Sequence, residues 1–314
     1  MHLFMPDFGE AVSNSAIRVA GYAPADSVHS RALDVFAEFV REKTSGTLEV
    51  EILHNVMDSR RPMSALLDMV NSGEVTMCYF STSYLGMSVP DVDALEIPFL
   101  FDTLDAAHAA LDGAFGAALS DAIETVHPVS VLGYWDNGFR HVTNRVRPVR
   151  APADCAGLSV RLQPNRVHAA LMEAWGMAPV LAELSDGIRM IADGEVDAQE
   201  NPLANTHAYG VSHQHVTLSA HLYGARALLA NRHALATLPA AAADVVQRAA
   251  RHAIEYQRNA ACGYEAQLRR EFEAAGRQVV QLDDDERAVF VAAAAPVVER
   301  ARSTVGEPLL RLID

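Results

Sequence analysis

Short β-like runs alternate with longer helical ones along this chain, and that alternation constrains the fold more than any single residue does. "AIRVAGY" reads as a strand, "SVHSRALDVFAEFVREKTSG" as a helix ending at Gly46, and "TLEVEIL" as a second strand. "RPMSALLDMVNSG" repeats the helical period to Gly73, and "EVTMCYF" gives a third strand. The opening is therefore a βαβαβ unit with a parallel sheet. Such sheets take ligands beyond the carboxyl ends of their strands, where the strand order reverses.

A second unit begins after "VLGYWDNGFRHVTN", because "VRPVRAPADCAGLSVRL" supplies a proline-rich loop, a short turn and a strand. It continues through the helix "PNRVHAALMEAWG", the short "MAPVLAE", a helix "SDGIRMIADG" capped by Ser185, and the polar strand "EVDAQENP". After "RALLANRHALATLP" comes a long helical stretch with no strong breaker except Gly263, which predicts a helix running across both units. The fold class is α/β, in two domains.

At 314 residues the chain is long enough for two cores. Its 40 acidic against 25 basic residues give a net charge of −15, which suits neither a phosphate backbone nor an anionic membrane, so no nucleic-acid partner is expected. The longest apolar runs, "ARALLA" and "VFVAAAAPVV", are far short of the roughly 20 residues that span a bilayer. The start "MHLFMPDFGEAVSNSAIRVAGY" carries no intact secretory signal, so either the protein stays inside or a signal has been removed. Cys78, Cys155 and Cys262 are read as three separate packed thiols.

Arg161 in "LSVRLQP" is the sharpest single residue, since it interrupts the apolar run of Leu158, Val160 and Leu162 at a strand end. A guanidinium there can hold a planar carboxylate by two parallel hydrogen bonds, or it can form an interdomain salt bridge. Arg140 in "NGFRHVTN" has the same two readings, while Arg145, Arg147 and Arg150 read as solvated loop charges. His213, His215 and His221 in "SHQHVTLSAH" raise a metal site, which the absence of HExxH and CxxC weighs against. No GxSxG elbow, phosphate-binding GxxxxGK[ST] loop or GxGxxG is present. In "GEVDAQENPLAN" five polar residues, Asp197, Gln199, Glu200, Asn201 and Asn205, surround Pro202 and either cap backbone or meet a ligand.

In order along the chain, "SVHSRALDVFAEFVREKTSGTLEVEIL", "LEIPFLF", "PADCAGLSVRLQP", "GEVDAQENP" and "ATLPAAAADVVQRAA" resemble the substrate-binding proteins of TRAP transporters, the DctP family. The likeness covers nearly the whole chain. It implies a hinged, two-domain periplasmic-binding-protein-like fold with crossing strands and a long helix spanning both domains. The family's carboxylate-gripping arginine falls on Arg161, the asparagine of its QENP-like motif on Asn201, and a second arginine of sialic-acid-binding members on Arg140. Ser81 stands where those members carry an acidic residue and Leu184 where they carry an aromatic, so a smaller organic acid or sugar acid is implied. Tyr22, Tyr79, Ser81 and Tyr84, at or just past the ends of the first and third strands, are the candidates for the opposing face.

The expected division is 16–137 with 228–266 in domain I and 138–227 with 267–314 in domain II, with the solute between them. The resemblance further implies a periplasmic monomer that delivers its solute to TRAP membrane permease subunits, with neither catalysis nor cofactor. Two other readings stay open: a sensor module docking on a receptor, and a metal-assisted hydrolase or lyase using His213, His215 and His221.

Overall fold

The computed structural model describes residues 16–313. Its strands are β1 (Ala16–Ala20), β2 (Glu49–Leu53), β3 (Met77–Ser81), β4 (Val129–Asn144), β5 (Ser159–Leu162), β6 (Ala178–Leu181), β7 (Ala198–Asn201), β8 (His215–Asn231) and β9 (Gln278–Gln281). The strand order is β2-β1-β3-β8-β4-β7-β5-β6, with β9 pairing β8. β1 lies parallel between β2 and β3, and β5 lies parallel between β6 and β7. Each βαβαβ unit read from the sequence thus forms its own three-stranded parallel group.

Local chemistry sets the helices between these strands. Ser27 caps helix Val28–Lys43 by accepting from Ser30 N at 3.1 Å. Leu33, Phe36 and Val40, spaced by three and four residues, bury that helix's inner face. Gly73 ends helix Ala65–Ser72 in the left-handed conformation. Helix Leu184–Ala192 starts one residue before the expected Ser185 cap, because Glu183 supplies the cap by accepting from Leu184 N at 3.0 Å.

The stretch "VLGYWDNGFRHVTN", after which the second unit begins, belongs to neither parallel group. It forms nearly all of the 16-residue β4, which runs antiparallel to the 17-residue β8 through the middle of the sheet. β3 pairs with the far end of β8, from Met77↔Ala230 to Ser81↔Arg226, whereas β7 pairs with the far end of β4, from His141↔Asn201 to Asn144↔Ala198. The two strands therefore carry the chain from one parallel group to the other. Their register shifts between Val131 and Gly133, between Asp136 and Gly138, and between Arg140 and Val142. Such bulges bend and twist a strand locally.

Packing follows the same division. One apolar cluster surrounds β1 and β3 with Leu33, Phe36, Tyr79 and Trp135, and a second surrounds β5 with Leu171, Trp175 and Phe290. Helix Ala240–Ala274, 35 residues without a break, places Val246, Ala249, Ala250 and Ala253 in the first cluster and Leu268 and Phe272 in a third. Gly263 faces open space and does not interrupt it. Helix Asp284–Val305 gives Phe290, Ala294 and Val297 to the second cluster, but Ala301 and the later Leu310 return to the first. Cys78 and Cys155 are buried, while Cys262 is exposed on the long helix and is not a packed thiol. Among the described residues no helix is long and apolar enough to cross a membrane.

Gly138 sits at the central bulge with φ +99°, a conformation that side chains resist. Gly138→Ala is expected to lower the unfolding free energy by about 1–3 kcal/mol. Gly263→Ala, on an open helix face, should raise it by up to about 1 kcal/mol. Urea denaturation of the two variants checks both signs.

Candidate ligand-binding cleft

The carboxyl ends of the two parallel groups face each other across a small cavity of about 20 Å³. Tyr22, just past β1, and Ser81, the last residue of β3, line it from one side with Met63 and Tyr84. Arg161 and Gln163 at the end of β5, Leu184, and Asn201 at the end of β7 line it from the other. Asn137 at the strand bulge, Asn205 and Tyr209 complete the wall.

Arg161 is 3% exposed, and its Nη2 donates to Ala182 O at 2.7 Å. Its Nε has no hydrogen-bond partner among the described residues. The interdomain salt bridge left open by the sequence is not formed, since the observed partner is a neutral carbonyl. A Cβ on Gly187 would lie 2.1 Å from Arg161 Nε and 2.7 Å from Cζ, so the bare backbone of helix Leu184–Ala192 is what makes room for the guanidinium. Burial pushes the Tyr84 hydroxyl up to about 12, with Arg161 pulling the other way, so the phenol beside the arginine stays neutral. Ser81 Oγ and Gln163 Nε2 are also buried without partners among the described residues. Several polar groups thus converge on the cavity with bonding capacity to spare.

Arg140 has a different place. It is absent from the cavity wall, and its Nε and Nη2 both bind the carboxylate of Glu200, the latter at 2.8 Å. Sequence reading missed the partner because Glu200 is 60 residues away and becomes its neighbour only when β7 pairs with β4. The same Glu200 carboxylate lies 3.2 Å from His168 Nδ1 and 3.5 Å from His221 Nε2. His168 Nε2 reaches Glu96 at 2.6 Å, and Glu96 accepts from Ser83 Oγ at 2.8 Å. Burial acts against a charge on His168, yet Glu200 and Glu96 pull its pKa up to about 9. Burial likewise opposes the Glu200 charge, but Arg140 and His168 hold that carboxyl well below its usual range. Arg140, Glu200, His168 and Glu96 form an alternating chain of buried charges.

The polar stretch around Pro202 resolves into this arrangement. Asn201 lines the cavity while its Oδ1 accepts from Arg140 Nη2 and Asn205 Nδ2, both at 3.2 Å, and its Nδ2 donates to Gln199 at 3.2 Å. Gln199 donates to Thr206, and Asp197 accepts from Ser159 and Arg145. Arg145 and Arg150, read as solvated loop charges, form exposed ion pairs with Asp197 and Glu286. Tyr79 also lies off the cavity: its ring packs in the core, tilted against Trp135 with 5.3 Å between ring centroids, and its hydroxyl accepts from Tyr22 N at 3.0 Å. The histidines do not converge. His213 pairs with Thr143 and His221 with Ser219, and the described residues contain no group of three or more metal-ligating side chains.

Sequence reading missed Gln163, Asn137, Tyr209, Gly187 and Arg226 as parts of this region. Asn165, also overlooked, caps helix Arg166–Ala174 and donates to Ser83 O and Asp93 Oδ1 across the cleft, each at 3.2 Å. Its signal was available in an asparagine directly ahead of a helical period.

His168 is protonated in the fold at a pH where the unfolded side chain is not. Its bridge is therefore fully present below about pH 6.5 and lost as pH rises through about 9. His168→Gln should lower stability by about 3 kcal/mol or more near pH 7 and flatten the alkaline fall in unfolding free energy, which urea melts at a series of pH values will read. Gly187→Ala should displace Arg161 and weaken any acid held there by at least roughly tenfold, measured by calorimetry. Because alanine favours a helix by up to about 1 kcal/mol over glycine, that loss of binding need not accompany a loss of fold.

Residues 19–304 match the model of the DctP family, "Bacterial extracellular solute-binding protein, family 7". A solute-binding protein of Verminephrobacter eiseniae is 29% identical, covering 96% of this chain and 90% of that one. The C4-dicarboxylate-binding periplasmic protein DctP of Rhodobacter capsulatus is 26% identical, covering 97% and 90%. The sugar acid binding protein DctPAm of Advenella mimigardefordensis, solved with galactonate, superposes with a TM-score of 0.89 at 26% identity, over 95% of this chain and 96% of that one. A TRAP periplasmic solute binding protein from a Polaromonas species, solved with D-erythronate, gives 0.88 at 26% identity over 95% and 98%. This chain belongs to the DctP family of bacterial extracellular solute-binding proteins.

Proposed function

We propose that the chain is the periplasmic solute-binding component of a TRAP transporter, which takes up a small organic acid or sugar acid by its carboxylate and delivers it to the membrane permease subunits. The observation that carries this reading is Arg161: buried at the end of β5, anchored by one nitrogen to a carbonyl, and keeping Nε free beside the cavity. An uncompensated buried guanidinium costs several kcal/mol, a cost that a bound carboxylate offsets with charge-assisted bonds. The relatives solved with galactonate and D-erythronate carry the same class of group, which supports the assignment.

Ser81, Tyr22 and Tyr84 contact the solute from the first lobe, and Asn201 and Arg161 from the second. Arg140 acts behind Asn201, as a support for that amide. The lobes comprise 16–137 with 228–266 and 138–227 with 267–314, except that the chain from about Ala301 packs back on the first. Contacts from both lobes to one solute stabilise the closed form, so binding drives closure about the bulges of β4 and β8. The protein acts as a monomer.

Thermal melts with galactonate, D-erythronate and succinate, against galactose and erythritol as neutral controls, test the reading. At a hundredfold excess over the dissociation constant an acid should add about 2.7 kcal/mol of stability, and Arg161→Ala should abolish that gain. An Arg161→Ala protein stabilised like the wild type would refute the clamp.

A further inference from the structure

We propose that Tyr209 sets the length of acid that the cleft accepts: its ring closes the solute cavity at short acids, and a larger polar chamber behind the ring is room that the wild type withholds from longer ones. This rests on the carboxylate reading given above and deepens it.

The two spaces share a wall. The solute cavity, at about 20 Å³, has room for about one water molecule. A chamber of about 310 Å³ adjoins it, between the start of helix Val28–Lys43, helix Leu203–Ala208 and Tyr264 of the long helix. Asn205 and Tyr209 line both. Asn205 is pinned, because its Nδ2 donates to Asn137 Oδ1 and Asn201 Oδ1, each at 3.2 Å, and its Oδ1 accepts from Arg226 Nη2 at 3.0 Å. The Tyr209 backbone is equally fixed. It ends helix Leu203–Ala208 in a turn where Gly210 N donates to His207 O, Val211 N donates to Thr206 O, and Gly210 takes φ +65°. Burial raises the pKa of the Tyr209 hydroxyl, with Arg226 and then Arg161 opposing, so the phenol faces these cations as a neutral group.

Lobe motion does not relieve the limit. Arg161 on β5 and Tyr209 after helix Leu203–Ala208 belong to the same, second lobe, so a hinge rotation moves them together. Parting the lobes widens the cavity between Ser81 or Tyr22 on one side and Asn201 on the other, but it leaves the reach from Arg161 to the Tyr209 ring unchanged. An acid clamped at Arg161 therefore has to end short of that ring. The chamber beyond suits a hydroxylated tail, since Asp26, Ser27, His207 and Tyr264 supply donors and acceptors along its wall. Removing the ring would join the two spaces.

Calorimetry with D-glycerate, D-erythronate and galactonate, which share a 2-hydroxy acid end and differ in chain length, tests this on the full chain. The wild type should bind the better of the two shorter acids at least roughly tenfold more tightly than galactonate. Tyr209→Ala should reduce that ratio to about threefold or less, whereas Tyr209→Phe, which keeps the ring, should retain it. Adding Ala208→Trp to Tyr209→Ala, which fills the chamber from its own wall, should restore the ratio. A wild type that binds galactonate as tightly as the shorter acids overturns the length limit and leaves the carboxylate clamp standing, as does an undiminished ratio in Tyr209→Ala. A ratio that stays low in the double variant overturns the part assigned to the chamber. A wild type that binds none of the three acids overturns both the clamp and the limit. Should Tyr209→Ala fail to melt cooperatively, Tyr209→Leu, which removes the ring and keeps an apolar body, decides in its place.

Discussion

The buried run of alternating charges from Arg140 through Glu200 and His168 to Glu96 is the interaction on which the cleft depends. It joins β4, the end of β7, helix Arg166–Ala174 and the segment Pro90–Glu96. None of the four side chains is exposed by more than 1%. Isolated, each charge would be prohibitive at that depth; in sequence, each is compensated by its neighbours. One consequence is geometric, because Glu200 holds Arg140 and Arg140 holds the Asn201 amide at the cavity edge. Another is electrostatic, because Glu200 neutralises Arg140, whereas Arg161 at the cavity forms no ion pair among the described residues.

That separation of roles explains why a protein with a net charge of −15 can bind anions. Surface carboxylates are screened within about 8–10 Å, whereas guanidinium groups in a low-dielectric cleft act at contact distance. A micromolar affinity requires about 8 kcal/mol, within reach of one clamped carboxylate and several hydroxyl bonds. The structure divides the work accordingly. Long strands and a 35-residue helix link the two parallel groups, register shifts mark the β4–β8 pair between them, and residues at the strand ends line the cavity.

Features that depend on local sequence are legible in the sequence itself. The βαβαβ alternation, the Ser27 and Gly73 helix boundaries, and Arg161 at the end of an apolar strand all follow from residue type and spacing. Features that depend on distant pairing were not. Arg226 sits inside "YGARALLAN", where it resembles a lone charge on a mostly apolar strand, and only the β3–β8 register brings it beside Ser81. Glu96 in "LEIPFLF" and His168 in a helical period gave no sign of each other across 72 residues. Tyr79 was misplaced for the same reason, since strand alternation says which residues share a face but not whether that face meets a cavity or a core. That "VLGYWDNGFRHVTN" is one long strand was hidden as well, because its glycines look like breakers, while in the fold Gly133 and Gly138 flank register shifts within that strand.

The most direct measurement is a crystal structure of the chain with the acid it binds most tightly among succinate, galactarate, galactonate and D-erythronate. The expected result is a carboxylate within hydrogen-bonding distance of Arg161 Nε, with the same solute touching Ser81 or Tyr22 across the cleft. A solute bound through its hydroxyls with its carboxylate turned away from Arg161, or one held by a single lobe, would contradict the clamp and the closure built upon it.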